Sequence, residues 1–231
     1  MVDSPLVLVP GLGCTSRLFD PQRLALQSQG EVIVLDHRAD SSMHDIAQRF
    51  LDQAPRRFAL AGLSMGGYVS FEIMRLAPER VTRLALLDTN AVADNDERRA
   101  TRRALAARVA QEGLMTAAAA LYPTYVHPAR QEDHHLRQIY FDMMSETGAD
   151  AFVRQLTAIA ARQSALPILA MITVPTLVVV GAEDSATPLA QAEEIVQGIA
   201  GARLEVIPHC GHLCTLEKPQ TLTRLLAEWW V

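Results

Sequence analysis

Residues 60–72 read LAGLSMGGYVSFE, and Ser64 stands there between Gly62 and Gly66, where an apolar run gives way to a helix-like pattern. A strand that turns straight into a helix strains the backbone of the residue at the turn, and small neighbours two places before and after leave room for it. The hydroxyl then stands clear of the main chain at the positive end of the following helix, where a developing anion is favoured. Such a serine is placed to be a nucleophile. Its hydroxyl is a weak one at neutral pH, so an imidazole must take the proton and a carboxylate must hold the imidazole. Both residue types occur late in the chain, Glu183 and Asp184 in GAEDSATP, His209 and His212 in IPHCGHLCTLEKP.

The elements that must position these groups are legible as short apolar runs at 5–10, 31–36, 57–63, 82–88, 175–181 and 203–207. Runs that are apolar throughout read as strands buried on both faces of a parallel sheet. Helical periods lie between most of them, as in 65–77, where Phe71, Met74 and Ala77 recur before Pro78. The alternation predicts an α/β fold, an open and mostly parallel six-stranded sheet with helices on both faces. In such sheets ligands bind beyond the carboxyl ends of the strands, and Ser64 ends the third run. Roughly 85 residues separate Asp88 from Pro175, where a crossover needs about a dozen. That stretch is rich in helix formers and is interrupted at Gly113, Pro123, Pro128, Gly148 and Pro167, which predicts four or five helices forming a lid. The expected organisation is a core of 1–90 and 172–231 with a helical lid inserted at 91–171.

Four motifs in this order, PGLG (10–13), GLSMG (62–66), GAED (181–184) and CGH (210–212), resemble the α/β-hydrolase superfamily, and the resemblance covers essentially the whole chain. It implies Ser64 as nucleophile, His212 as general base, Asp184 as the orienting acid, and the backbone N–H groups of Leu12 and Met65 as an oxyanion hole. His209 competes with His212 for the base, and Asp88, at the end of the fourth strand, competes with Asp184 for the acid. Many relatives open the oxyanion loop with His-Gly, where this chain has Pro10-Gly11. The chain starts a few residues before its first strand, so the usual N-terminal hairpin is expected to be missing, leaving six strands in the order 2-1-3-4-5-6. Residues 31–36 would then form an edge strand, through which a weak homodimer could pair in place of a monomer.

The resemblance implies a cofactor-independent serine hydrolase that cleaves carboxylic esters of small or medium substrates through an acyl-enzyme. The same triad serves C–C bond hydrolases, enol-lactonases, lyases and cofactor-free haloperoxidases, and some members are ligand receptors with vestigial turnover. Tyr122, Tyr125, Tyr140, Met143 and Met144 of the lid are candidate substrate-binding residues, with lid core as the competing role for each.

Other chemistries find little support. A net charge of −5 argues against general affinity for nucleic acid. No apolar stretch approaches the roughly 18 to 20 residues of a membrane span. The first residues, MVDSPLVLVPG, carry no basic leader, which points to the cytoplasm. Cys14, Cys210 and Cys214 fit neither a disulfide framework nor a zinc pattern, and all three thiols fall near the presumed site. His134 and His135 are adjacent and so face apart, a poor metal pair, and no metal is expected. Arg98, Arg99, Arg102, Arg103 and Arg108, preceded by Asp94, Asp96 and Glu97, read as a solvated helix face, with a docking surface for an acidic carrier protein as the minor reading.

Overall fold

The computed structural model describes residues 4–231. The first half alternates strand and helix: β1 Leu6–Val9, α1 Asp20–Leu26, β2 Val32–Val34, α2 Met43–Gln53, β3 Phe58–Leu63, α3 Met65–Leu76 and β4 Val81–Leu87. Five helices follow before the next strand, α4 Asp96–Glu112, α5 Leu114–Tyr125, α6 His134–Thr147, α7 Ala149–Ala161 and the short α8 Leu166–Leu169. The chain closes with β5 Thr176–Gly181, α9 Leu189–Gly198, β6 Arg203–Ile207, α10 Cys214–Glu217 and α11 Pro219–Trp230.

The six strands form one sheet in the order β2-β1-β3-β4-β5-β6, with every neighbouring pair parallel. Register pairs Val9 with Gly62, Leu63 with Leu87 and Gly181 with Ile207, so the carboxyl ends of the central strands open on one rim. β1, β3 and β5 are buried along their whole length, as uninterrupted apolar runs require when helices cover both faces. The outer strands differ from the sequence expectation. β2 keeps only three residues, all half-buried, and β6 exposes Arg203 and Val206. RLEVI interleaves charged with apolar residues because it is an edge strand, covered on fewer sides than the centre.

α3 follows β3 without a loop and buries Met65 to Phe71 in one continuous stretch, then Ile73 and Met74. A helix apolar nearly all round belongs in the interior, and α2 packs along it. At the opposite end of the chain, α11 packs against α1 and buries Trp230, whose Nε1 donates to the Ser4 carbonyl at 3.0 Å.

Among the five inserted helices, α4 is capped by Asn95, whose side chain accepts the Arg98 N–H at 2.9 Å. Gly113 and Gly148, at φ 86° and 76°, close α4 and α6 in the left-handed region. Pro123 does not break a helix as its residue type suggests; it lies inside α5, two residues from the end, where it forgoes its own bond to the preceding turn but only two helical residues follow it. Asp94 is no solvated helix-end acid either. It is buried and pairs with Arg102 and, at 2.7 Å, with Arg162 between α7 and α8. Among the described residues no helix is long and apolar enough to cross a membrane.

Candidate active site

The site is built at the rim where β3, β5 and β6 end. Ser64 sits between β3 and α3 at φ 55° and ψ −114°, a conformation that residues other than glycine rarely hold. Its neighbours hold it there: its own N–H donates to Leu87 O at 2.9 Å, and its carbonyl accepts from Gly67 N–H at 2.9 Å and from Thr89 Oγ1 at 2.8 Å. The flanking glycines answer to close backbone approach, since a Cβ at Gly62 would fall 2.2 Å from Gly66 O and one at Gly66 would fall 2.0 Å from Val9 O. Ser64 Oγ itself makes no hydrogen bond among the described residues.

Asp184 follows β5 and His212 follows β6, and both side chains are buried. His212 Nδ1 donates to Asp184 Oδ2 at 2.8 Å. The same oxygen accepts from Thr187 Oγ1 at 2.6 Å, while Oδ1 accepts the Ala186 and Thr187 N–H groups at 2.8 and 2.9 Å. Burial alone would push the Asp184 pKa up; the His212 charge and these hydrogen bonds more than offset it and hold the carboxylate below its ordinary range. Burial likewise opposes a charged His212, but the Asp184 carboxylate outweighs it and leaves the imidazole pKa above its usual value. Nδ1 is committed to Asp184, so Nε2 is the nitrogen left to exchange a proton.

The structure thus joins Asp184 to His212 directly. Ser64 is not hydrogen-bonded to His212, a contact that sites of this kind tighten when substrate binds. Neither the Leu12 nor the Met65 N–H is taken by another group among the described residues, and a Cβ on Gly11 would lie 3.5 Å from Ser64 Cβ, which brings the 10–13 loop against the elbow. Neither competitor is part of this hydrogen-bonded pair. His209 is exposed, at φ 53°. Asp88 is buried between the rim strands with Oδ1 accepting Gly181 N–H at 2.8 Å, and burial followed by the Asp184 charge pushes its pKa well up.

Several residues that the motifs did not single out support this arrangement. Thr187 buttresses the acid. Glu217 is buried, with Oε1 accepting the Gly211 and Leu213 N–H groups at 3.0 and 3.3 Å and Oε2 accepting His127 N–H at 2.8 Å, so it fastens the histidine loop to the segment after α5. From the last residue of α5, Tyr125 sets its ring 5.2 Å from the His212 ring, and its carbonyl accepts the His212 N–H at 3.0 Å. Met144 lies over Gly13. Tyr122 and Tyr140 pack against each other at 5.2 Å, Tyr140 donates to Ala118 O, and Met143 is fully buried. All three cysteines are free and buried, and burial pushes the Cys14 thiol up to about 12, which leaves it protonated.

His127, Glu183 and His209 bring three potential metal ligands within 4.8 Å of one another. His127 Nδ1 already accepts the Ala129 N–H, which leaves the proton on Nε2, and one Glu183 oxygen accepts the Cys210 N–H. Neither imidazole nitrogen of His127 is then free to coordinate.

Known proteins of similar sequence and shape carry the same architecture. The chain is 24% identical over 97% of its length to the RutD protein of Serratia proteamaculans, named provisionally as a carbamate hydrolase, and spans 90% of it. A thermophilic esterase from Thermogutta terrifontis superimposes with a TM-score of 0.89 at 26% identity, covering 99% of this chain and 89% of its own. The enol-lactonase of Burkholderia xenovorans LB400 does so with a TM-score of 0.89 at 25% identity, covering 98% of this chain and 90% of its own. With the sequence profile of the alpha/beta hydrolase family matching residues 6–225, the chain belongs to that family.

Proposed function

We propose that this alpha/beta hydrolase is a serine esterase acting on carboxylic esters of small or medium size. The observation that carries the reading is the buried Asp184–His212 pair at the rim where Ser64 stands with an unengaged hydroxyl. Ser64 Oγ attacks the ester carbonyl carbon while His212 Nε2 takes its proton. The carbonyl oxygen gains the negative charge and is received by the N–H groups of Leu12 and Met65, the latter at the positive end of α3. As the C–O bond breaks, His212 returns the proton to the departing alcohol. Water repeats the sequence on the acyl-enzyme, releasing the acid and restoring Ser64. Asp184 fixes the imidazole tautomer and stabilises the imidazolium formed in each half. The inserted helices act as a lid, with Tyr125, Met144 and Phe152 among the lid side chains that lie against site residues.

Support for an ester substrate comes from the likeness to an esterase and to an enol-lactonase, both of which break an acyl–oxygen bond. A p-nitrophenyl ester series from acetate to octanoate, run beside methyl esters, lactones and aryl carbamates, tests it. Esters are expected to turn over fastest, and Ser64→Ala to abolish turnover in a folded protein. Faster turnover of carbamates or lactones would reassign the substrate, and turnover surviving in Ser64→Ala would remove the mechanism.

A further inference from the structure

Behind the 10–13 loop lies a buried polar chain that the catalytic scheme does not use. Gln155 of α7 is fully buried, and so, within 1%, is His37 beyond β2. Gln155 Oε1 accepts the Gly13 N–H at 2.9 Å, Gln155 Nε2 lies 2.9 Å from His37 Nδ1, and His37 Nε2 lies 2.8 Å from the Pro10 carbonyl oxygen. The two ends of this chain are backbone groups whose roles are fixed, an N–H at Gly13 and a C=O at Pro10. Every proton between them is therefore assigned: Gln155 donates to Nδ1, and neutral His37 donates through Nε2 to Pro10. Burial pushes the His37 pKa down, in keeping with a neutral ring.

The chain grips the loop at both ends. Its bonds fall on the 10–11 peptide, through Pro10 O, and on the 12–13 peptide, through Gly13 N–H. Between them lies the 11–12 peptide, whose oxygen accepts the Cys14 N–H at 3.2 Å and whose N–H is that of Leu12, the proposed oxyanion donor. Gly13 holds φ 68° at the third position of this turn, a conformation that favours glycine there, and its N–H is the one that meets Gln155. A buried polar chain with every member satisfied is rigid and holds one arrangement.

We propose that Gln155 and His37 are positioning residues that aim the Leu12 N–H at the developing oxyanion, so that a helix of the insertion sets the catalytic power of the core as well as its access. The inference rests on the serine-hydrolase reading. It assigns to Gln155 an effect on the transition state with little effect on ground-state binding, because the oxyanion is fully formed only in the former.

Gln155→Met keeps the side-chain volume and removes both hydrogen bonds, and His37→Leu cuts the Pro10 end. In whichever of these folds, kcat for p-nitrophenyl acetate is expected to fall about tenfold to a hundredfold with KM within about twofold. Affinity for phenylboronic acid, whose boron bonds Ser64 Oγ and places an oxygen where the oxyanion would sit, is expected to fall by the same factor. Gln155→Glu, which still accepts the Gly13 N–H, should recover most of kcat. Wild-type kcat in a folded Gln155→Met or His37→Leu, a kcat loss without loss of boronate affinity, or Gln155→Glu as slow as Gln155→Met would each overturn the assignment. Ser64→Ala is run in parallel: if it is inactive while Gln155→Met is unimpaired, only the positioning claim fails, and if it retains turnover both claims fall.

Discussion

The carboxylate of Asp184 receives four hydrogen bonds, from the Ala186 and Thr187 amides, the Thr187 hydroxyl and His212 Nδ1, and this satisfies both of its oxygens inside the protein. Its retained charge in turn raises the pKa of the imidazole. A general base works only when unprotonated, so kcat/KM for an ester should be flat at high pH and fall as pH drops through the raised His212 value. The midpoint is expected above the ordinary histidine value of about 6.5. Asp184→Asn removes the stabilising charge, which should move that midpoint downward while lowering the plateau by about 10³- to 10⁴-fold. Rates across about pH 5 to 9 check both, and a midpoint that does not move in Asp184→Asn would mean another group controls the limb. At this scale the sequence was informative where chemistry is carried by short motifs. Ser64, Asp184 and His212 each follow a recognisable strand end. Gln155 and His37 lie 142 and 27 residues from the loop positions they grip, and no local pattern marks a glutamine or histidine for a contact made only after the chain has folded.

Among the elements, the most constrained is the junction of β3 with α3. Gly66 faces the backbone of β1, and a methyl group there would lie 2.0 Å from Val9 O, a main-chain atom that cannot swing aside as a side chain can. Gly66→Ala is expected to destabilise the protein by about 3 kcal/mol, read from the urea midpoint, and to displace the Met65 N–H so that residual activity falls further than the folded fraction explains. A neutral outcome would mean that α3 can slide along the sheet. The central strands and α3 were readable from residue order because burial on both faces leaves only apolar residues acceptable there. β6 was harder. An edge strand is defined by what does not cover it, and that depends on the ends of the sheet, which a local window does not contain. Pro123 in α5 shows the same limit from the helix side, because whether a proline ends a helix or is carried within its last turn is decided by packing.

For the molecule as a whole, the question is how five inserted helices are held to the sheet that carries the proposed catalytic groups. Arg162, just beyond α7, supplies one fastening. It is buried, pairs with Asp94 at 2.7 Å, donates to Val92 O at 2.8 Å and lies 4.1 Å from the centre of the Tyr68 ring on α3. One guanidinium thus ties the α7–α8 connection to the entrance of the insertion after β4 and to the helix that follows Ser64. Asp94 retains Arg102 when Arg162 is lost, so Arg162→Met leaves a buried carboxylate half-paired and not stranded, and the expected destabilisation is about 3 kcal/mol, toward the low end for breaking a buried ion pair. The pH dependence gives the sign. Burial raises the Asp94 pKa, but the hydrogen bond from Arg102 and the Arg162 charge bring it below the ordinary carboxylate value, so its contribution is present above about pH 3.9 and is lost as pH falls through the lower folded-state value. Wild type and Arg162→Met should therefore differ most near neutrality and converge in acid. Urea unfolding at several pH values measures this, and a gap between the two proteins that stayed constant into strong acid would assign the role of Arg162 to its packing on Tyr68 in place of its charge.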